Sequence, residues 1–422
     1  MTERLLQFIW QFQYYNSSEL VAVTGENVQI ILPGQFNSNQ GPDFTEAKVR
    51  IDSAVWAGSV ELHIKTSDWH KHSHQEDSNY NNVILHVVWE DDAWANNVPV
   101  IELKERVPKL LLNRYKEMMN SSAFIPCQKI IHSVRDIIWI SWKERLLAER
   151  LTRKAKTIDN YLSQNNYHWE ETFWWMLARN FGIKVNAEAF EAIARSIPMN
   201  ILSKHKGQIH QVEALLFGQA GLLEKNHGSL CEEDDYLLLL RNEYHFLRTK
   251  YKLRQIHVPI YFLRMRPGNF PTIRLAQLAM LILCSAHLFS KLRDAGSIEE
   301  IKKWLDVTAN DFWHYHYRFD EISPFKKKRL GAAMINNIII NTVVPVLFAY
   351  GSYHQDQRYK DKALEWLEEV GGESNSITNG FAKIGITIRT AYDSQATIEL
   401  KNEYCDKRRC LDCSVGNFLL KS

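Results

Sequence analysis

The stretch GPDFTEAKVRIDSAVWAGSVELHIK, residues 41–65, limits the fold more than any other part of the chain. Val60, Leu62 and Ile64 alternate with Glu61, His63 and Lys65. Side chains change face at every residue of a strand, so this period of two excludes a helix here. Ala47, Val49 and Ile51 alternate in the same way with Lys48, Arg50 and Asp52. Two strands are therefore expected, joined by a turn near Asp52-Ser53, with Gly58 permitting a bulge. One face of the second strand is apolar. The other gathers a carboxylate, an imidazole and an ammonium, and Asp43 stands where the first strand begins.

Around this pair the pattern predicts an α/β unit. Leu5, Leu6, Ile9, Trp10 and Phe12 recur at helical spacing, giving a helix over 3–15. Val28–Leu32 reads as a strand stopped by Pro33-Gly34, and 35–41 as loop. Val83–Trp89 is apolar throughout except at His86, the pattern of a central strand covered on both sides. Another strand over 98–103 follows a turn holding Asn96-Asn97. From Pro108 onward the period becomes helical. Helices are expected over 110–119, 133–163, 170–181 ending at Gly182, 187–197, 210–223, 234–251, 271–289, 298–305, 328–350 and 360–370. The fold class is α+β: an α/β domain with a mixed sheet over 1–120, then a larger all-helical domain over 121–422 ending in a Cys-rich segment. A chain of 422 residues is too long for one core of usual size, which agrees with two domains. Its 51 basic and 49 acidic residues nearly cancel, so any nucleic-acid surface would be a local patch.

The placing of Pro42-Asp43 and Glu61 resembles the core of the PD-(D/E)xK nuclease superfamily, the restriction-endonuclease-like fold. There an Asp after Pro opens one strand and Glu-x-Lys lies on the next. Here seventeen residues separate Asp43 from Glu61, a length that suits a hairpin. The departure is at the Lys, because His63 stands two after Glu61. Either His63 replaces the Lys, or Lys65, one pleat further along at about 7 Å, reaches back, or the site is degenerate. The resemblance implies Asp43 and Glu61 as ligands of Mg²⁺ or Mn²⁺, with His63 and Lys65 as the polar catalytic partners. The plainer reading is a solvated strand face with Glu61 and Lys65 paired. GPDF, the VELH strand, Asp68-Trp69-x-x-His72-x-His74 and the Cys-rich end also identify the chain as a member of an uncharacterised bacterial domain-of-unknown-function family, which supplies no reaction.

His70, His72 and His74 would face one metal if they lay on a strand, with Asp77 close by. The alternative is a solvated loop, or a phosphate-facing role for His72 and His74 near Glu61. Cys405, Cys410 and Cys413 form C-x4-C-x2-C, the most specific metal signal in the chain. Lys407, Arg408 and Arg409 beside them favour thiolate. Three thiolates leave one ligand missing; Cys127, in the break at 124–127, is the first choice and Cys231 the second. Cys284 falls in an apolar helix and reads as core. Zinc or an iron–sulphur cluster would occupy the site; the plainer reading is unligated thiols in a tail. Arg264, Arg266 and Arg274 flank a Gly at a helix start and are candidate nucleic-acid contacts, though such Arg more often pin neighbouring helices. Gly218, in FGQAG, reads as close helix packing.

No G-x-S-x-G, Rossmann fingerprint or H-E-x-x-H is present, which argues against the common hydrolase, dehydrogenase and zinc-protease classes. The N-terminus lacks a secretory pattern, 334–350 is broken by Asn and Pro, and six scattered Cys do not form a disulfide framework. A cytoplasmic protein with no membrane partner is expected; the oligomeric state is open. The first functional reading is a metal-dependent nuclease. The alternatives are an inactive nucleic-acid- or protein-binding module and a purely structural scaffold.

Overall fold

A computed structural model describes residues 1–92, 98–224, 234–254, 256–263, 265–285 and 287–421. The Asn96-Asn97 turn, Cys231 and Arg264 lie outside them. The chain forms two compact units: Met1–Trp142 with Leu400–Ser422, and Lys143–Glu399. The boundary expected at residue 120 had placed Cys127 and the Cys-rich tail in the helical part. The contacts put both in the sheet-bearing unit.

The first unit opens with helix α1, Glu3–Gln11. Leu5, Leu6, Phe8, Ile9 and Trp10 on it are buried, and the helix packs on the sheet at strand β4. It stops before residue 15 because the chain turns left-handed at Gln13 (φ 54°). The strands are β1 Val28–Leu32, β2 Gln35–Phe36, β3 Phe44–Ile51, β4 Ala54–Lys65, β5 Val83–Glu90 and β6 Val100–Glu102. Their order is β1-β3-β4-β5-β6, with β2 against β3. β1, β3 and β4 form an antiparallel meander, while β5 and β6 run parallel to β4, so the sheet is mixed. A short helix α2, Asp68–Lys71, lies in the β4–β5 crossover. Helices α3, Lys109–Asn120, and α4, Asp136–Ser163, follow.

The sheet differs from a half-solvated one where it matters. Ser59–Leu62 and His63 are all buried, so Glu61 and His63 face protein and not water. This half of β4 sits between two paired strands and is covered on both faces, as β5 is. Gly58 is required by a close approach: a Cβ there would lie 2.5 Å from the Asn82 carbonyl oxygen. The register shift falls beside it, between Ser59 and Val60.

The second unit is mostly helical around one large apolar core. A two-stranded hairpin, His316–Arg318 with Glu321–Ile322, interrupts the all-helical expectation. Helix Trp169–Phe181 ends at Gly182 as expected. Gly218 packs against the Tyr244 ring, where a Cβ would lie 2.2 Å from a ring carbon. The segment Ala332–Tyr353 is apolar and long enough to cross a membrane, but 67% of its apolar window is buried within the fold. Cys284 is exposed at the end of helix Pro271–Cys284, not core, because the helix turns its last residue outward.

Glu213 is fully buried in this unit. It accepts from the Trp313 indole at 3.1 Å and from the Tyr236 hydroxyl. Burial outweighs those donors and pushes its carboxyl up to about 7 from 4.5. Between those two values the folded chain keeps a proton that the unfolded chain has released. Stability therefore falls as pH rises across that window, by about 3 kcal/mol in all. Denaturant unfolding of Glu213→Gln against the parent should show their difference growing by that amount across the window. A pH-independent difference would contradict the assignment.

Candidate metal centre

Asp43 reaches the site because its turn is clamped. Gly41 adopts φ +105°, the Asn37 side chain donates to the Pro42 carbonyl at 3.0 Å, and the Asn37 N–H donates to the Asp43 carbonyl at 2.8 Å. Residues 35–36, expected as loop, form β2, and the remaining loop 37–41 latches Pro42-Asp43 at the head of β3. The antiparallel pairing Phe44↔Val60 then brings Asp43 beside Glu61. The Asp43 N–H donates to Glu61 Oε2 at 3.0 Å, and the Leu62 N–H donates to Asp43 Oδ2 at 3.2 Å. Gln7 of α1 donates to Asp43 Oδ1 at 2.8 Å. Both carboxyls are pushed up, mainly by burial; Glu61 is raised further by the Asp43 charge.

Imidazoles fill the space in front of Glu61. Its Oε1 lies 3.5 Å from His63 Nε2 and 3.4 Å from His74 Nε2. Ligand nitrogens of His63, His72 and His74 all lie within 4.8 Å of one another. His63 Nε2 is 3.1 Å from His72 Nδ1, and His63 Nδ1 is 2.9 Å from His86 Nε2. Each such contact needs one donor and one acceptor, which neutral rings supply. Burial and the neighbouring imidazoles hold His86 down to about 3 and His63 lower still, so both rings are neutral. Trp69 and Tyr80 wall the group, Tyr80 stacked on His74 at 3.8 Å between centroids. His72 is the exposed member and opens the site to solvent.

His70–His74 do not form the strand that would have turned all three rings to one metal. His70 lies in α2, and the chain turns left-handed at Ser73 (φ 57°, ψ 31°) before a 3₁₀ turn begins at His74. That reversal points His72 and His74 at one spot, and His63 completes the trio in place of His70. Asp77 caps its own turn through the Asn79 N–H and takes no place in the group. Lys65 is exposed, near Glu90 and Asp92, and does not reach back to Glu61. Gln7 gave no signal in the sequence, because its role depends on how α1 docks. His86 did give one: it is the lone polar residue of 83–89, and the register Glu61↔His86 sets it beside the pair.

The donor set fits a metal ion. His74 Nε2 is buried with no hydrogen-bond partner, and it faces Glu61 Oε1. An unpartnered buried acceptor or donor is costly unless something binds it. Three imidazoles with a carboxylate suit transition ions such as Zn²⁺ better than Mg²⁺, which wants oxygen ligands. His63 further donates or accepts through its second nitrogen to His86, the kind of outer contact that fixes a ligand ring.

The other expected residues stand elsewhere. Arg274 is buried, and its guanidinium donates to Asn269 at 2.6 Å and Gln277 at 3.0 Å, which pins the helix start. Arg266 is exposed. Cys127, Cys405, Cys410 and Cys413 all belong to the first unit.

No curated protein and no solved structure matches the chain. A family model described as a protein of unknown function, DUF2851, matches residues 3–376. The match contains Asp43, Glu61, the imidazole group and Cys127, and ends before Cys405. Spanning most of the sequence, it shows that the chain belongs to the DUF2851 family.

Proposed function

We propose that the first unit is a metal-dependent hydrolase of nucleic-acid phosphodiester bonds. The carrying observation is the meeting of Asp43 and Glu61, from adjacent strands, with His63 and His74 at one Glu61 oxygen and His72 beside those two rings. Pro-Asp at the head of one strand and Glu on the next is the order of the PD-(D/E)xK core that the sequence resembles. A bound divalent ion would neutralise phosphate oxygens and lower the pKa of an attacking water. Glu61 Oε1 and nitrogens of His63, His72 and His74 would hold it. Asp43 fixes Glu61 through its own N–H and is itself fixed by Gln7 and Leu62. His63 takes the position of the missing Lys as a ligand, not as a cation, since it stays neutral.

A second reading, an inactive binding module, is favoured by the burial of Glu61 and His63, 6% and 1% exposed. The two separate on turnover. Single- and double-stranded DNA and RNA, incubated with Zn²⁺, Mn²⁺ or Mg²⁺, should be cut in at least one combination. Glu61→Gln, which removes the carboxylate ligand, should sharply lower that cutting. Salt-dependent binding with no cleavage under any ion would leave the binding module standing.

A further inference from the structure

Cys127 and the cysteine run 405–413, far apart in sequence, belong to one unit. Cys127 lies in consecutive turns, with the Gln128 N–H donating to Ile125 and the Ile130 N–H to Cys127. Cys405 ends the π-helical segment Leu400–Cys405, Cys410 opens the 3₁₀ turn Cys410–Asp412, and Cys413 immediately precedes helix Ser414–Lys421. All four are free thiols, and Cys127, Cys410 and Cys413 are buried. The Arg408 N–H donates to the Cys405 carbonyl at 3.2 Å and the Cys413 N–H to the Cys410 carbonyl at 3.4 Å, so the run 405–413 folds on itself in two turns.

The protein builds the cage around them. Arg408 donates to the Met118 carbonyl at 2.9 Å and the Ser121 carbonyl at 2.6 Å, tying the Cys405–Cys410 loop to the end of α3. Lys401 sits over the Phe124 ring, three residues before Cys127. Gly416 has no side chain where a Cβ would stand 2.1 Å from the Cys410 carbonyl oxygen, so the turn can lie directly on the helix. Four free thiols on segments tied together in this way, none paired in a disulfide, match the ligand count of a closed structural metal site, and no three of their sulphurs lie within 4.8 Å of one another, a spacing wide enough for a cluster. Ionised together they would repel one another, and a bound metal removes that repulsion.

We propose that Cys127, Cys405, Cys410 and Cys413 form a four-thiolate centre for a thiophilic metal, which staples the segment Leu400–Lys421 to the turn after α3. One zinc ion and an iron–sulphur cluster share this ligand chemistry. The centre does not depend on the hydrolytic reading.

The full chain, purified without chelator and without air, decides it. Elemental and acid-labile sulphide analysis should find zinc, or iron with sulphide and visible charge-transfer absorbance. To separate this centre from the imidazole group, cobalt(II) is exchanged for any zinc; thiolate-to-cobalt charge transfer should appear, persist in His72→Ala, and vanish in Cys127→Ser. Cys284→Ser, an exposed thiol outside the set, should change nothing. Because Cys127→Ser could fail to fold, alkylation of the native parent chain is the second readout. The four thiols should resist alkylation until a chelator is added. Four thiols that alkylate freely in the folded parent chain, or that take up neither zinc nor iron and sulphide on reconstitution, or that pair as disulfides, would overturn the proposal.

Discussion

Glu61→Gln is expected to lower metal-dependent cleavage by about 10³-fold, roughly 4 kcal/mol of lost transition-state stabilisation. The amide keeps an oxygen to accept the Asp43 N–H, so the strand pairing survives. It removes the only carboxylate, among the described residues, that the structure sets within 3.5 Å of both His63 and His74. The same substitution should not destabilise the metal-free protein. Glu61 is buried and pressed by Asp43, so its charge opposes folding there, and a neutral amide relieves it. Activity and stability therefore move apart. Steady-state cleavage and denaturant unfolding of the same preparation read both; a parallel loss would make Glu61 structural.

Glu399→Ala is expected to destabilise the second unit by about 1.5–3 kcal/mol, the usual cost of losing hydrogen bonds to a charged group. Glu399 is 1% exposed and accepts from both terminal nitrogens of Arg153 at 2.6 Å, a two-pronged contact. Arg150 adds a third contact at 3.4 Å and donates to Gln395 at 2.7 Å. One turn on, Lys154 is half-buried, donates to Asn341 at 3.0 Å, and is pulled down to about 7, first by burial and then by Arg150. Removing Glu399 would leave the half-buried Arg150 beside Lys154 with no carboxylate to answer either from that side. Glu399→Gln keeps the acceptor oxygen and should cost less. Urea titrations of the three proteins check the order parent, Gln, Ala; equal midpoints would show that the fork contributes nothing.

How far these features could be read in advance depends on their range. The alternation in β3 and β4 is local, so the hairpin and the meeting of Asp43 with Glu61 were visible in the residues alone. The burial of the polar face was not, because it depends on what covers β4. A shared face for His70, His72 and His74 would have needed a strand, yet Ser73 in the left-handed region decides the geometry, and a serine does not announce that conformation. Cys127 stood out as a loop cysteine, and the contacts place it in the same unit as the tail of three. Arg150, Arg153 and Lys154 showed only as basic residues on a long helix; their partner is almost 250 positions away, at Glu399. The cysteine tail's return to the first unit is of the same kind, a long-range choice with no local mark.

The most direct measurement is anomalous diffraction from crystals of the full chain grown with Mn²⁺ or Zn²⁺. A peak is expected at about 2.0–2.2 Å from a Glu61 oxygen and from nitrogens of at least two of His63, His72 and His74. A metal-loaded crystal with no peak there, and with His74 Nε2 turned away from Glu61, would contradict the account.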